Sequence, residues 1–302
     1  MLGKTDPLVN GQRFFNMTQS IINSEDPSNA NFLLIGANFD RTSSFGKGSD
    51  AGPKAIIDCL HTQIEFYERF SGKNPALDKK IAYLDLGEMN SLEPEAVVSA
   101  IKNAMAQNSK AFPFLIGGEH SVTNGPLRFF ESAAKDITIV QLDAHADLRE
   151  DDSDYNDQPW GKLAHCSVMK RAFDMGYNLV QVGIRAYSDE ERELFSDPRV
   201  TVFEWKGKSD QTSVQAVLKA IKTEKVYLTI DADGIDPSFM PATGTPVQGG
   251  LDWYYTIQLV TELCRIKTIV GADLVEVAPR PQDSITEYGA AQLIYTIIAA
   301  LS

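Results

Sequence analysis

Cysteine is scarce in this 302-residue chain, and the three present, Cys59, Cys166 and Cys264, are too few and too widely spaced to form a disulfide framework. A reducing compartment is the setting this implies. Basic residues are outnumbered, with 28 Lys and Arg against 41 Asp and Glu, for a formal net charge of −13. That balance argues against nucleic acid or an anionic membrane surface as a partner, and it permits a cationic substrate. No uninterrupted apolar run reaches the roughly 18 residues expected of a transmembrane helix. The first residues, Met1-Leu2-Gly3-Lys4-Thr5-Asp6-Pro7, lack the charged and then apolar pattern of a signal peptide, so the expected location is the cytoplasm. Internal repeats, low-complexity linkers and composition shifts are missing as well, and one domain is the simplest reading. With 43% hydrophobic residues the chain can bury a substantial core. Residues 1–30 are the least patterned part and are expected to form an arm or cap over the core or a neighbouring subunit.

What is present from Asn31 onward is an alternation of short β-rich runs with stretches of helical periodicity. The spacing predicts strands over Phe32 to Ala37, Ile81 to Leu86, Phe112 to Ile116, Ile137 to Leu142, Asn178 to Ile184, Val200 to Trp205, Val226 to Ile230 and Thr268 to Val275. Helices are predicted over Pro94 to Gln107, Ser167 to Met175, Asp189 to Phe195, Thr212 to Thr223, Asp252 to Cys264 and Glu287 to Leu301. Such alternation with short connections predicts an α/β fold: a single-domain, three-layer α/β/α arrangement around a mainly parallel sheet of about eight strands. In sheets of this kind ligands bind outside the carboxyl ends of the strands.

The strand ends are where the chemistry-bearing residues fall. The run Ile137-Thr138-Ile139-Val140-Gln141-Leu142 is followed by Asp143-Ala144-His145-Ala146-Asp147, three metal-type ligands at alternate positions, which an extended backbone points to one side. Val226-Tyr227-Leu228-Thr229-Ile230 ends in Asp231-Ala232-Asp233, again two carboxylates on one face. A third apolar run, Phe112 to Ile116, meets a diglycine turn and then Glu119-His120-Ser121. Each Asp alone would more often be a helix cap or turn residue, and each His a satisfied core residue. Six such groups at three strand ends, in a chain with four histidines, instead point to a centre able to hold two ions.

Taken together, Gly117-Gly118-Glu119-His120-Ser121, Asp143-Ala144-His145-Ala146-Asp147 and Asp231-Ala232-Asp233-Gly234-Ile235-Asp236-Pro237 resemble the signatures of the ureohydrolase family of arginases and agmatinases. The resemblance continues through Pro241 to Pro246 and Gly249-Gly250-Leu251, and extends to Phe39 to Phe45, Gly52 to Ile56 and Leu274 to Pro279. It covers residue 31 to the C-terminus, so that 31–302 would be the catalytic domain. It implies two Mn²⁺ ions, one held by His120, Asp143, Asp147 and Asp231, the other by Asp143, His145, Asp231 and Asp233, with Asp143 and Asp231 bridging. The same donor set could accept Zn²⁺, Co²⁺ or Ni²⁺. Asp236, before Pro237, is expected to stabilise a turn, and Cys166 matches no ligand position.

The resemblance further implies hydrolysis of a guanidino group, with a water activated between two ions attacking a planar carbon. Glu276 matches the family carboxylate that fixes the guanidinium plane by paired charge-assisted hydrogen bonds. His165 matches a proton-shuttling histidine that would protonate the departing amine, although by sequence alone it could equally cap the helix beginning near Ser167. Asp147 would receive the attacking water's proton. His61, in a helical stretch without a motif, is expected to be structural. The family's arginases carry asparagine where Arg149 stands, so arginine is disfavoured and agmatine, cleaved to putrescine and urea, is favoured. The acidic loop Glu150 to Asp154 is a candidate receptor for the distal ammonium. Arg149 could instead pair with the carboxylate of 4-guanidinobutyrate or formiminoglutamate. Thr229 replaces the serine common in the family, and Asp50 stands where arginine or another residue is common before Gly52-Pro53. Relatives form trimers and hexamers, which implies a homo-oligomer. Two rival readings are a single-zinc amidohydrolase resembling histone deacetylases and a metal-loaded but catalytically silent binding or regulatory protein. The paired Asp231 and Asp233 beside His120 argue against the first, and the presence of all six ligands with His165 and Glu276 argues against the second.

Overall fold

Eight parallel strands form one continuous sheet in the computed structural model, which describes residues 20–154, 157–158, 161–206 and 212–302. The strands are β1 (Phe32–Asn38), β2 (Ile81–Glu88), β3 (Phe112–Gly117), β4 (Ile137–Leu142), β5 (Asn178–Ile184), β6 (Val200–Glu204), β7 (Lys225–Asp231) and β8 (Thr268–Val275). They lie in the order β2-β1-β3-β8-β7-β4-β5-β6. The last strand in sequence, β8, is therefore inserted in the middle of the sheet, between β3 and β7.

Helices cover both faces: α1 (Gly52–Thr62), α2 (Pro75–Asp78), α3 (Pro94–Gln107), α4 (Asn124–Phe130), α5 (Val168–Met175), α6 (Asp189–Glu193), α7 (Val214–Ala220), α8 (Trp253–Ile266) and α9 (Ile285–Leu301). The strand period of two sorts the core. Phe32 and Leu34 of β1, and Val140 and Leu142 of β4, pack with residues of α1, α8 and α9. Their odd-numbered neighbours Leu33 and Ile35 pack with α3, whereas Ile137 and Ile139 pack with α5. The eight predicted strands agree with those found to within two residues at each end.

Helix edges differ more, for local reasons. Asp252 stays outside α8 and caps it, its carboxylate accepting from Tyr255 N. The predicted start at Ser167 falls in a 3₁₀ turn, His165–Ser167, that leads into α5. Asp189 to Phe195 divides into α6 and a 3₁₀ turn, Leu194–Ser196. The helix α4 is absent from the predicted set; its Gly125-Pro126 lies in the first turn, where a proline costs no helical hydrogen bond. Of the segment 1–30, residues 1–19 lie outside the described residues. Residues 20–30 run along the sheet edge, where Ile21 is buried and Asn23 N and Ser24 N both donate to Ile81 O. No described helix is long and apolar enough to cross a membrane.

Candidate metal centre

Four neighbouring strands at the middle of the sheet, β3, β8, β7 and β4, deliver their carboxyl ends to one place, and two glycines permit the approach. A Cβ on Gly118 would lie 2.0 Å from Phe39 O, and one on Gly234 would lie 2.5 Å from Asp143 N. These contacts bring the turn after β3 and the 3₁₀ turn after β7 (Ala232–Gly234) against their neighbours.

All six sequence-predicted ligands meet there. Asp143 is common to two clusters, His120 with Asp143 and Asp231, and Asp143 with His145 and Asp233, in each of which the potential ligand atoms lie within 4.8 Å of one another. His120 Nδ1 is 3.1 Å from Asp143 Oδ2, 3.0 Å from Asp147 Oδ2 and 3.4 Å from Asp231 Oδ2. His145 Nδ1 is 3.1 Å from Asp233 Oδ2 and 3.6 Å from Asp143 Oδ1. Every one of these side chains is buried except that of His145, which is 30% exposed and forms the centre's open side.

The donors fit divalent cations on the structure's own terms. His120 Nδ1 is buried and faces three carboxylate oxygens without a properly directed hydrogen bond to any of them. The set is imidazole and carboxylate without thiolate, which suits Mn²⁺ and other ions of similar hardness. Electrostatics agree. Burial, reinforced by the Asp143 charge, raises the Asp147 pKa to about 7. Burial and then the charges of Asp233 and Asp143 push Asp231 well above the usual carboxylate range. Burial acts against His120 and His145, yet the surrounding carboxylates lift both well above an ordinary imidazole. The cavity is thus short of positive charge, a deficit that bound cations remove.

Backbone strain is concentrated at the same place. Asp147 (φ 54°) and Glu276 (φ 64°) both adopt left-handed conformations that are uncommon for residues with a Cβ. Asp147 O accepts from Met169 N and Lys170 N at the start of α5, which holds that conformation. Glu276 follows β8, donates its N–H to Gly118 O, and takes the His120 N–H on Oε1 at 2.8 Å. Burial, then the charges of Glu119 and Asp233, raises its pKa well above normal.

His165 stands at the rim of the same cavity. Its ring does not cap α5; instead Nε2 lies 3.2 Å from Ser44 Oγ, and its N–H donates to Thr42 Oγ1 at 3.1 Å. Thr42 Oγ1 in turn donates to Glu119 Oε1 at 2.7 Å, and Ser121 N and Oγ also donate to that fully buried carboxylate. Asp236 binds Ser238 N, Gly249 N and Gly250 N, the turn role expected of it. On α1, His61 Nδ1 meets the Oγ of Ser20, which lies in the segment before β1. Cys166 is buried, with Sγ toward Asp151 O.

The acidic loop behaves differently from the expectation of an ammonium receptor. Glu150 is paired with Lys162 and Lys170, each at 2.9 Å, and with Arg171 at 3.6 Å. Asp154 is paired with Arg149, and Asp151 caps Ser153 N. The cavity beside the centre, about 290 Å³, is lined instead by Arg149, Tyr187, Glu191, Ser44 and Thr245 around His145, Asp147 and His165. Glu191 is one cavity residue that the sequence reading missed. It closes a capping box with Ser188 and also accepts from Leu148 N at 2.9 Å, and only the Ser188-x-x-Glu191 spacing signalled it. Arg185 was missed too: its guanidinium donates to the carbonyls of Gly183, Asp233, Gly234 and Val247, tying β5 to the turn that carries Asp233.

A family model described as the arginase family matches residues 30–300. The chain belongs to the arginase family. Among curated arginase-family relatives, the N(1)-aminopropylagmatine ureohydrolase of Synechocystis sp. is 31% identical over 96% of this chain and 94% of its own. The enzyme of the same name from Thermococcus kodakarensis is 31% identical over 92% of this chain and 93% of its own. The crystal structure of agmatine ureohydrolase of Thermoplasma volcanium superimposes with a TM-score of 0.77 at 30% identity, covering 92% of each chain. The eight-stranded sheet is accordingly the arginase-family fold, and the chain is an agmatinase-like ureohydrolase.

Proposed function

We propose that this arginase-family enzyme hydrolyses the guanidino group of agmatine or of an N-substituted agmatine, releasing urea and the corresponding amine, with two Mn²⁺ ions per subunit. His120, Asp143, Asp147 and Asp231 would hold one ion, and Asp143, His145, Asp231 and Asp233 the other. The observation that carries this reading is the pair of ligand clusters sharing Asp143, in a chain whose relatives are named as ureohydrolases of such amines. The ions, when bound, supply positive charge and a water of lowered pKa near neutral pH.

The remaining work falls to the chain. Glu276, with Oε1 anchored by the His120 N–H, keeps Oε2 for a guanidinium N–H and fixes the plane of the substrate. Asp147 accepts the proton given up by the attacking water. His165, at the rim, protonates the departing amine as the tetrahedral carbon collapses, its backbone held by Thr42 and Glu119. Burial depresses the His165 pKa, to about 4, and the His145 charge adds to this, so the ring is a ready acid once it carries a proton.

Arg149 favours a second reading, because its guanidinium lines the cavity and could receive a carboxylate in 4-guanidinobutyrate or a related acid. The test is urea release from the Mn²⁺-loaded protein on agmatine, N(1)-aminopropylagmatine, 4-guanidinobutyrate, 3-guanidinopropionate and arginine, with formamide release from formiminoglutamate. Preference for an amine upholds the proposal. Preference for an acid transfers the anchor role to Arg149, and silence across the panel favours a binding protein. A homo-oligomeric, cytoplasmic enzyme of polyamine metabolism is part of the same proposal.

A further inference from the structure

Two glutamines interrupt the apolar layer between the sheet and α5. Gln141 of β4 and Gln181 of β5 stand directly opposite each other in the parallel register, and neither is exposed to solvent. The strand period puts them on the same face as Ile137, Ile139 and Leu179, which belong to that core layer. Burying an amide is costly unless it is hydrogen-bonded. Gln181 Nε2 donates to Gln141 Oε1 and, at 2.6 Å, to Ala146 O. Gln141 Nε2 donates to Asp143 Oδ2 at 2.6 Å, with a longer contact to His145 O at 3.4 Å. Gln181 Oε1 is left buried without a partner, so what the pair gains lies in what its nitrogens reach.

The direction of this chain is fixed from its far end. The Ala146 carbonyl can only accept, so Gln181 must turn its NH₂ group toward it. The same NH₂ group faces Gln141, which must therefore present its oxygen there and its own NH₂ group to Asp143. Turning Gln141 over would set two NH₂ groups against each other and an amide oxygen against a carboxylate. The one arrangement left ends on the carboxylate common to both ligand clusters. Asp143 Oδ1 takes the His145 N–H, also at 2.6 Å. Each oxygen of Asp143 thus has one N–H donor, which sets the plane of the carboxylate. Oδ2 lies 3.1 Å from His120 Nδ1 and Oδ1 lies 3.6 Å from His145 Nδ1, so the same plane aims one oxygen at each cluster.

We propose that Gln141 and Gln181 are positioning residues for the metal centre: Gln181, anchored on the Ala146 carbonyl, holds Gln141 in the one orientation that donates to Asp143 and so fixes the shared ligand. The inference rests on the two-ion reading of the site. Outer partners of metal ligands are commonly worth about 10- to 100-fold in metal affinity. Because Asp143 belongs to both clusters, both ions should feel the loss.

Mn²⁺ titration of the metal-stripped protein against a competing fluorescent chelator, with metal-free melting temperatures measured in parallel, tests it. Wild type should bind two ions. Gln141→Met keeps the length of the side chain without its donor, and should weaken the binding of both ions by roughly 10- to 100-fold. Gln181→Met leaves the Gln141 amide free to turn over and should weaken both as well. The double variant should be no weaker than Gln141→Met alone, because Gln181 acts through that amide. Tyr177→Phe deletes another buried bond of the same layer, from Oη to Leu127 O at 2.6 Å, and should lower the melting temperature while leaving affinity unchanged. The inference is overturned if Gln141→Met or Gln181→Met binds as wild type does, if the two effects simply add, or if Tyr177→Phe weakens binding as much as Gln141→Met. Should Gln141→Met not fold, Gln181→Met against Tyr177→Phe decides, and equal affinities overturn it. A wild type that binds fewer than two ions would instead overturn the two-ion reading.

Discussion

Removing one hydroxyl, that of Thr42, should cost more than its size suggests. Thr42 Oγ1 gives its proton to the Glu119 carboxylate at 2.7 Å and takes the His165 N–H at 3.1 Å. Thr42→Val keeps the shape and deletes both bonds. Losing a hydrogen bond to a charged group costs about 1.5–3 kcal/mol, and leaving a buried N–H unsatisfied costs about 1–3 kcal/mol. The two together predict a loss of about 3–5 kcal/mol, against less than about 1 kcal/mol for Thr42→Ser. The loss should also depend on pH. Burial already raises Glu119 from 4.5 to about 6, and the Thr42 hydroxyl is the first of the groups opposing this rise. A carboxyl whose folded pKa is raised contributes stability at low pH that disappears as pH climbs through the folded value, and the variant moves that value higher. At pH 5 Glu119 is protonated in both proteins and the penalty falls back toward the pH-independent cost of the unpaired His165 N–H, about 1–3 kcal/mol; at pH 8 the variant alone bears the full cost. Melting temperatures of metal-loaded Thr42→Val, Thr42→Ser and wild type from pH 5 to pH 8 measure this. A Thr42→Val penalty under about 0.5 kcal/mol, or one that does not grow with pH, refutes the reasoning.

Three further outcomes are expected. His165→Ala should slow urea release by about 10²- to 10⁴-fold while bound Mn²⁺, measured by elemental analysis, stays at the wild-type level; an unchanged rate and pH profile would make His165 structural. Asp233→Ala removes the oxygen 3.1 Å from His145 Nδ1 and should lose one ion of two together with turnover, and full activity in that variant would end the two-metal mechanism. Gly118→Ala would set a methyl 2.0 Å from the Phe39 carbonyl, and a soluble, fully active Gly118→Ala would show that the turn can move.

The strands and the strand-end ligands were legible because both follow from short-range rules. Ile137 to Leu142 is apolar on both faces because both faces are covered, and Asp143, His145 and Asp147 alternate at its end. What the sequence could not disclose is orientation over longer range. The sign of the charges in Glu150 to Asp154 was plain, but their neutralisation by Lys162, Lys170, Arg171 and Arg149 depends on how α5 packs. Arg185 carries no motif, and its value lies in four carbonyls from three separate segments. Asp273 was hidden for the opposite reason: it interrupts an apolar strand that reads as core, and the hydroxyls that meet it, those of Thr123 and Tyr227, come from the turn after β3 and from β7.

The position of β8 bears on how the molecule comes together. Strands β2, β1 and β3 form one half of the sheet, β7, β4, β5 and β6 the other, and the ladder between the halves runs through β8 alone. The ladder cannot be completed on the ribosome until Thr268 to Val275 has emerged, so the halves are free to fold earlier and must then admit a strand between them, a non-local step that is intrinsically slow. His120 belongs to the first half, and Asp143, His145, Asp147, Asp231 and Asp233 to the second. An ion held between His120 and those carboxylates would be a rivet across the seam, and loading it should slow unfolding by opposing the withdrawal of β8.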